Sequence, residues 1–142
     1  MAITAKFYPS AAAAMFNSEI NSGDSFKMAL LSSAGTFNAA HTLFSDVSGN
    51  QISASSPNVG YTSGGVAVTV GPATSDSAKA EFPITAALWT GATFTFQNAV
   101  VYEVSSGKLL MHLAFSDEQN VAGQDYQINA PSPAPKATPV GI

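Results

Sequence analysis

A few places in this chain hold side chains that could do chemistry. Ser105-Ser106-Gly107-Lys108 has the Ser-x-x-Lys spacing of some acyl-transfer enzymes, where Ser and Lys share one helical turn facing a pocket. His41, with Ser45 and Asp46 near it in sequence, and His112 are the two imidazoles, the groups suited to proton transfer near neutral pH. Asp117, Glu118, Asn120 and Asp125 form the one acidic cluster, with the oxygens a calcium loop would use. Each has a plainer reading. The Ser-x-x-Lys run caps a hairpin, with Gly107 where a left-handed residue is wanted. Sequence proximity alone does not build a triad around His41. His112 falls on the face opposite Met111 and Leu113, which places it partly exposed or at an interface. The acidic spacing matches no calcium motif and reads as a solvated loop between strands. Gly64-Gly65 lacks the Lys-Ser/Thr of a phosphate loop and leads into no helix. Phe94, Phe96, Tyr102 and Phe115 could stack on sugars, but their period of two on adjacent strands reads as core. No catalytic residue, cofactor site or metal site is therefore expected.

The elements that would position these groups are mostly short strands. Pro9-Ser10 followed by Ala11 to Ile20 predicts a helix capped by Ser10, with Met15, Phe16 and Ile20 on its apolar stripe. Phe26 to Leu31 predicts a strand. Asn38 to Val47 reads as a short helix or turn, and Ser48-Gly49-Asn50 as a turn. Gln51 to Ser55, Val66 to Val70, Ala78 to Ile84 and Tyr126 to Ile128 read as strands. Ala86 to Thr90 carries Leu88 and Trp89, and Asn58 to Gly65 reads as a loop. In the strongest element, Phe94 to Val104, residues Phe94, Phe96, Val100, Tyr102 and Val104 share the inward face. Asn98 alone breaks it, while Thr95, Gln97 and Glu103 point outward. Lys108 to Phe115 returns with Leu109, Met111, Leu113 and Phe115 inward, and Glu103 and Lys108 flank the turn as a possible cross-strand pair. Residues 131–142 carry four prolines in twelve positions. They predict an extended arm of up to about 37 Å at ~3.1 Å per residue. The domain expectation is one β-sandwich domain over 1–130, with a short N-terminal helix, followed by the arm over 131–142.

Composition narrows the function classes. The 142 residues contain no Cys, and Lys and Arg together number five, all of them Lys. Charged residues are 10% of the chain, against about 25% in an average soluble domain, while 46% is hydrophobic. A phosphate-tracking surface is not expected from so few cations, so no nucleic-acid partner is predicted. Zero Cys removes disulfides and thiolate chemistry together. The apolar run near the start is short and mostly Ala, so no cleaved signal is expected, and no stretch of 18 apolar residues predicts a membrane span. Phe7, Tyr8, Tyr61 and Trp89, with Pro131, Pro133, Pro135, Pro139, Val140 and Ile142 of the arm, are the candidate partner contacts.

Four segments, in order, carry a resemblance. They are Ala2-Ile3-Thr4 through Phe7-Tyr8 with the helix after it, Lys27 to Ser33, Phe44 to Ser53 with Gly60 to Val66, and the Trp89 segment through Phe94 and Ala99 to Tyr102 and on to Leu110. Together, over roughly residues 2 to 130, they resemble small virion proteins of tailed bacteriophages, including capsid decoration or cement proteins. The resemblance implies an all-β, jelly-roll-like sandwich with no catalytic residues. It implies a body on the capsid exterior that bridges major capsid proteins, forms a dimer or trimer there, and is made in the bacterial host cytoplasm. The rival expectation is a carbohydrate-binding or host-adhesion module on a tail or fibre, because jelly rolls often bind glycans.

Overall fold

A computed structural model of the chain describes residues 3–72, 74–75, 80–81, 84–129 and 136–137. The fold is mostly β: one open antiparallel sheet of five strands and one short helix. Strand β1 is Ile3–Phe7, helix α1 is Pro9–Phe16, β2 is Phe26–Leu31 and β3 is Val66–Val68. Two-residue strands follow at Thr74–Ser75 (β4) and Ala80–Glu81 (β5). The long strands β6, Ala87–Glu103, and β7, Leu109–Ile128, complete the sheet, and Lys136–Ala137 forms β8. The sheet order is β1-β7-β6-β2-β3; β4, β5 and β8 make a separate three-stranded set. A closed sandwich or jelly roll is not formed by the described residues.

Helix α1 starts two residues earlier and ends four earlier than its sequence suggests. Pro9 sits in its first turn, where a fixed φ and a missing N–H do no harm. Tyr8 occupies the cap position, so Ser10 lies inside the helix and caps nothing. After Phe16 the chain reverses through Ser18, at φ 61°, and Ile20 returns to the core beyond the helix. The face that faces inward is made of Ala11 and Ala14. Phe16, expected on the apolar stripe, points outward.

Strands β6 and β7 absorb segments that read separately in the sequence. Ala86 to Thr90, Phe94 to Val104, Lys108 to Phe115 and Tyr126 to Ile128 merge into two continuous strands. The acidic stretch expected as a loop is the middle of β7. Gly91 and Gly123 lie where the register shifts between Trp89 and Ala92 and between Ala92 and Phe94. A bulge takes up one extra residue and lets the ladder continue, so glycine here bends a strand without ending it. Further shifts fall between Phe96 and Asn98 and between Val101 and Tyr102. Two positions differ from the expected faces: Glu103 is buried, and Val104, just past the end of β6, is 41% exposed.

The centre of the sheet is covered on both faces. Every residue from Asn98 to Glu103 and from Leu109 to Leu113 is buried. Such strands lose the in–out alternation of a half-solvated sheet. Leu109, Met111, Leu113 and Phe115 are inward as expected, but Leu110 and His112 are just as deeply buried. The long β2–β3 connection supplies part of the cover. Asn98 Nδ2 donates to the Ser32 carbonyl at 2.9 Å. Phe44 stacks on Tyr102 with ring centroids 4.2 Å apart, and the Tyr102 hydroxyl donates to the Gly64 carbonyl. That connection holds 3₁₀ turns at Phe44–Asp46 and Ser48–Asn50. Gln51 alone makes a bridge, to Leu31, where a strand to Ser55 was expected. Likewise β3 stops at Val68, with Val70 bridging Ile84. Within the expected strand Ala78 to Ile84, β5 and the Ile84 bridge are described, and the rest lies outside the described residues.

Candidate functional site

The Ser-x-x-Lys run forms the hairpin turn that its glycine suggests. Gly107, at φ 76°, donates its N–H to the Glu103 carbonyl at 2.8 Å, and the Glu103 N–H donates to the Lys108 carbonyl at 2.9 Å. Ser105 and Ser106 both donate to Glu103 Oε1. The Lys108 ammonium lies 4.0 Å from Glu19 Oε1, so the side-chain pair expected between Glu103 and Lys108 is replaced by two others. A serine nucleophile with an adjacent lysine base is not assembled here. Asp24 also meets Glu103: the side-chain hydrogen bond the two carboxyl groups share is the main cause holding the Asp24 carboxyl below the usual range, with the Asn21 N–H second.

His41 builds no triad either. Asp46 Oδ2 accepts the backbone N–H groups of Thr42 and Leu43, at 3.0 and 3.1 Å. These hydrogen bonds depress its pKa and commit it to closing a turn. His112 is 1% exposed, not at the surface. Its Nε2 lies 2.8 Å from the Gly35 carbonyl, and Phe37 meets its ring edge-on. With a carbonyl as partner, Nε2 must carry the proton. Burial is the main cause that pushes this imidazole below its usual pKa, and the charge of Lys6 adds to it.

The acidic cluster is dispersed by its strand. Asn120 Oδ1 accepts from Thr95 Oγ1 and Asp125 Oδ1 accepts from the Gly91 N–H, both at 2.8 Å. These oxygens tie β6 to β7. Among the described residues no group of three or more His, Asp or Glu side chains could hold a metal ion.

Of the candidate contacts, Tyr8, Tyr61 and Trp89 are core residues, exposed by 0%, 4% and 1%. Their surface reading is corrected by what packs on them. Trp89 and Tyr61 each meet Phe94 edge-on, and Tyr8 meets Phe37. Burial alone raises the Tyr8 phenol far above its ordinary pKa. Phe7 is half-buried on β1, opposite Met111. Pro131, Pro133, Pro135, Pro139, Val140 and Ile142 lie outside the described residues.

Sequence reasoning missed the clearest concavity. A pocket of about 220 Å³ opens beside the end of α1, walled by Met15, Ile20, Phe26, Val70 and Leu110. Asn21, Ser22 and Gly71 complete its lining, so no titratable group lines it. Its chemistry is that of an apolar socket. The exposed large apolar side chains were missed as well: Phe16, Val59, Leu88, Val104 and Leu43. Phe16, at 91%, stands out. Comparison with known proteins finds no matching family model, no matching curated protein and no matching solved structure. No helix among the described residues is long and apolar enough to cross a membrane.

Proposed function

We propose that this chain is a non-enzymatic structural protein of a tailed-bacteriophage virion. In this reading it is a decoration or cement protein that binds the outer head lattice and bridges major capsid proteins. Its finer fold would then be a jelly-roll-like sandwich. The observation that carries the reading is the mostly uncharged, hydrogen-bonding surface of the β6–β7 ribbon. Leu88, Thr90, Gly91 and Thr95 are exposed on β6, and Asn120, Ala122, Gln124 and Gln127 on β7. Only Asp117, Glu118 and Asp125 add charge to the ribbon's exposed positions. Such a surface meets a partner with little desolvation of charge. The ordered resemblance to small phage virion proteins points the same way.

The test is position in a purified virion. Labelling the protein and imaging particles should reveal a regular array over the head. A few copies confined to the tail tip would replace this reading with the adhesion module.

A further inference from the structure

We propose that two copies of this chain associate about a two-fold axis by exchanging Phe16, each ring entering the other copy's apolar pocket. The pocket and the ring are carried by neighbouring residues at the end of α1. Met15 lines the pocket, and Phe16 is the next residue. Consecutive helix residues diverge by about 100°, so a helix that turns Met15 to the pocket turns Phe16 away from it. At 91% exposure Phe16 is the most exposed of the large apolar side chains described. The socket has room for it: a cavity of ~150 Å³ lined by aliphatic groups accepts benzene, and this one is about 220 Å³.

A knob and a hole carried by neighbouring residues favour a second copy over any other occupant, since a two-fold interface must be self-complementary. The nearby charges include both signs: Glu19 and Lys108 lie 4.0 Å apart, and Asp24 accepts the N–H of Asn21 in the pocket lining, so each copy offers an ammonium that a carboxylate of its twin can meet. The association is weak. Two buried rings remove roughly 150–250 Å² each, well under the ~1,200 Å² total at which stable interfaces begin. It is therefore a contact that forms at high local concentration.

Sedimentation velocity of the full chain from about 1 µM to about 1 mM tests it. The wild type should pass from monomer to dimer over that range. Phe16→Ser should weaken association by about 100-fold and leave the melting temperature unchanged, because the ring it removes is solvated. Phe16→Leu should fall between them. Methyl signals of Ile20, Val70 and Leu110 should shift with concentration in the wild type and stay fixed in Phe16→Ser. A wild type that stays monomeric to 1 mM overturns the proposal. So does a dimer that Phe16→Ser leaves intact, or one whose shifts avoid the pocket.

Discussion

The Tyr61 hydroxyl donates to Gln51 Oε1 at 2.6 Å, inside the protein and far from any partner. The same hydroxyl accepts the Leu30 N–H at 3.2 Å, and the same Oε1 accepts the Gly64 N–H at 2.7 Å. One relay thus satisfies a strand N–H and a loop N–H, pinning the β2–β3 connection to the sheet. Burial is the main cause that raises the Tyr61 phenol far above its ordinary pKa, so the relay stays protonated at any ordinary pH.

Tyr61→Phe keeps the ring against Phe94 and removes only the hydroxyl. It leaves the Leu30 N–H without a partner and takes a donor from Gln51. A buried polar group left unpaired costs about 1–3 kcal/mol. Chemical denaturation should show a loss of that size, and a stability equal to wild type would rule out the relay as a structural element.

What the sequence makes legible follows from this packing. Phe26 to Leu31 and the Ser105–Gly107 turn are readable because local pattern and tertiary role agree. The joining of β6 across Gly91 and β7 across Gly123 is not, since a glycine inside a bulge and a glycine in a loop look alike in sequence. Tyr8, Tyr61 and Trp89 resist reading for another reason. An amphipathic aromatic does not show whether its polar atom meets a partner inside, as Tyr61 does, or is buried without one, as the Tyr8 hydroxyl and Trp89 Nε1 are. The pocket is invisible too, because Met15 and Ile20, Val70, and Leu110 come from three separate stretches of chain.

The hairpin core should be the least tolerant of truncation. Phe96 is 1% exposed and packs on Phe94, Phe115 and Tyr126, while Leu113 is fully buried between β1 and β6. Phe96→Ala should cost about 3–5 kcal/mol and Leu113→Ala about 2–5 kcal/mol, enough to threaten a marginal domain. Thermal melts within a couple of degrees of wild type for either variant would show that the face assignment is wrong.

Two glycines with similar backbones should behave differently. Gly65 has φ +90° and Gly107 has φ +76°. A Cβ at Gly65 would strike the Met28 carbonyl and the Ala29 Cα, which are backbone and cannot step aside, whereas a Cβ at Gly107 meets open space. Gly107→Ala should therefore lose only the ~1–2 kcal/mol of a left-handed residue, and Gly65→Ala considerably more, with β2–β3 pairing broken. Equal losses in denaturant would contradict the close approach at Gly65.

His112 sets a stability change with pH. Its folded pKa lies below the 6.5 of a free imidazole, chiefly because it is buried. Above 6.5 both folded and unfolded chains hold it neutral, and its contribution is fully present. As pH falls below 6.5 the unfolded chain takes up a proton that the folded chain resists, so stability is lost. Asp24 and Asp46 have depressed pKa values, and their contribution is lost only in more acidic solution. Melting temperature measured from pH 7.5 to 5 should fall in the wild type and fall less in His112→Gln. Parallel curves would remove His112 as the cause.

The proposed role on a shell carries its own salt signature. Contact through uncharged Thr, Asn and Gln groups gains little from Coulomb attraction, so screening has little to remove. At about 1 M salt the Debye length is only ~3 Å, enough to silence exposed ion pairs. Attachment built on charge steering would weaken steeply over the same range. Particles carrying this protein should therefore keep nearly all of it from low salt to about 1 M, as read by the amount pelleting with capsids. Complete release by salt alone would mean that the few charges, not the ribbon's uncharged groups, hold it in place.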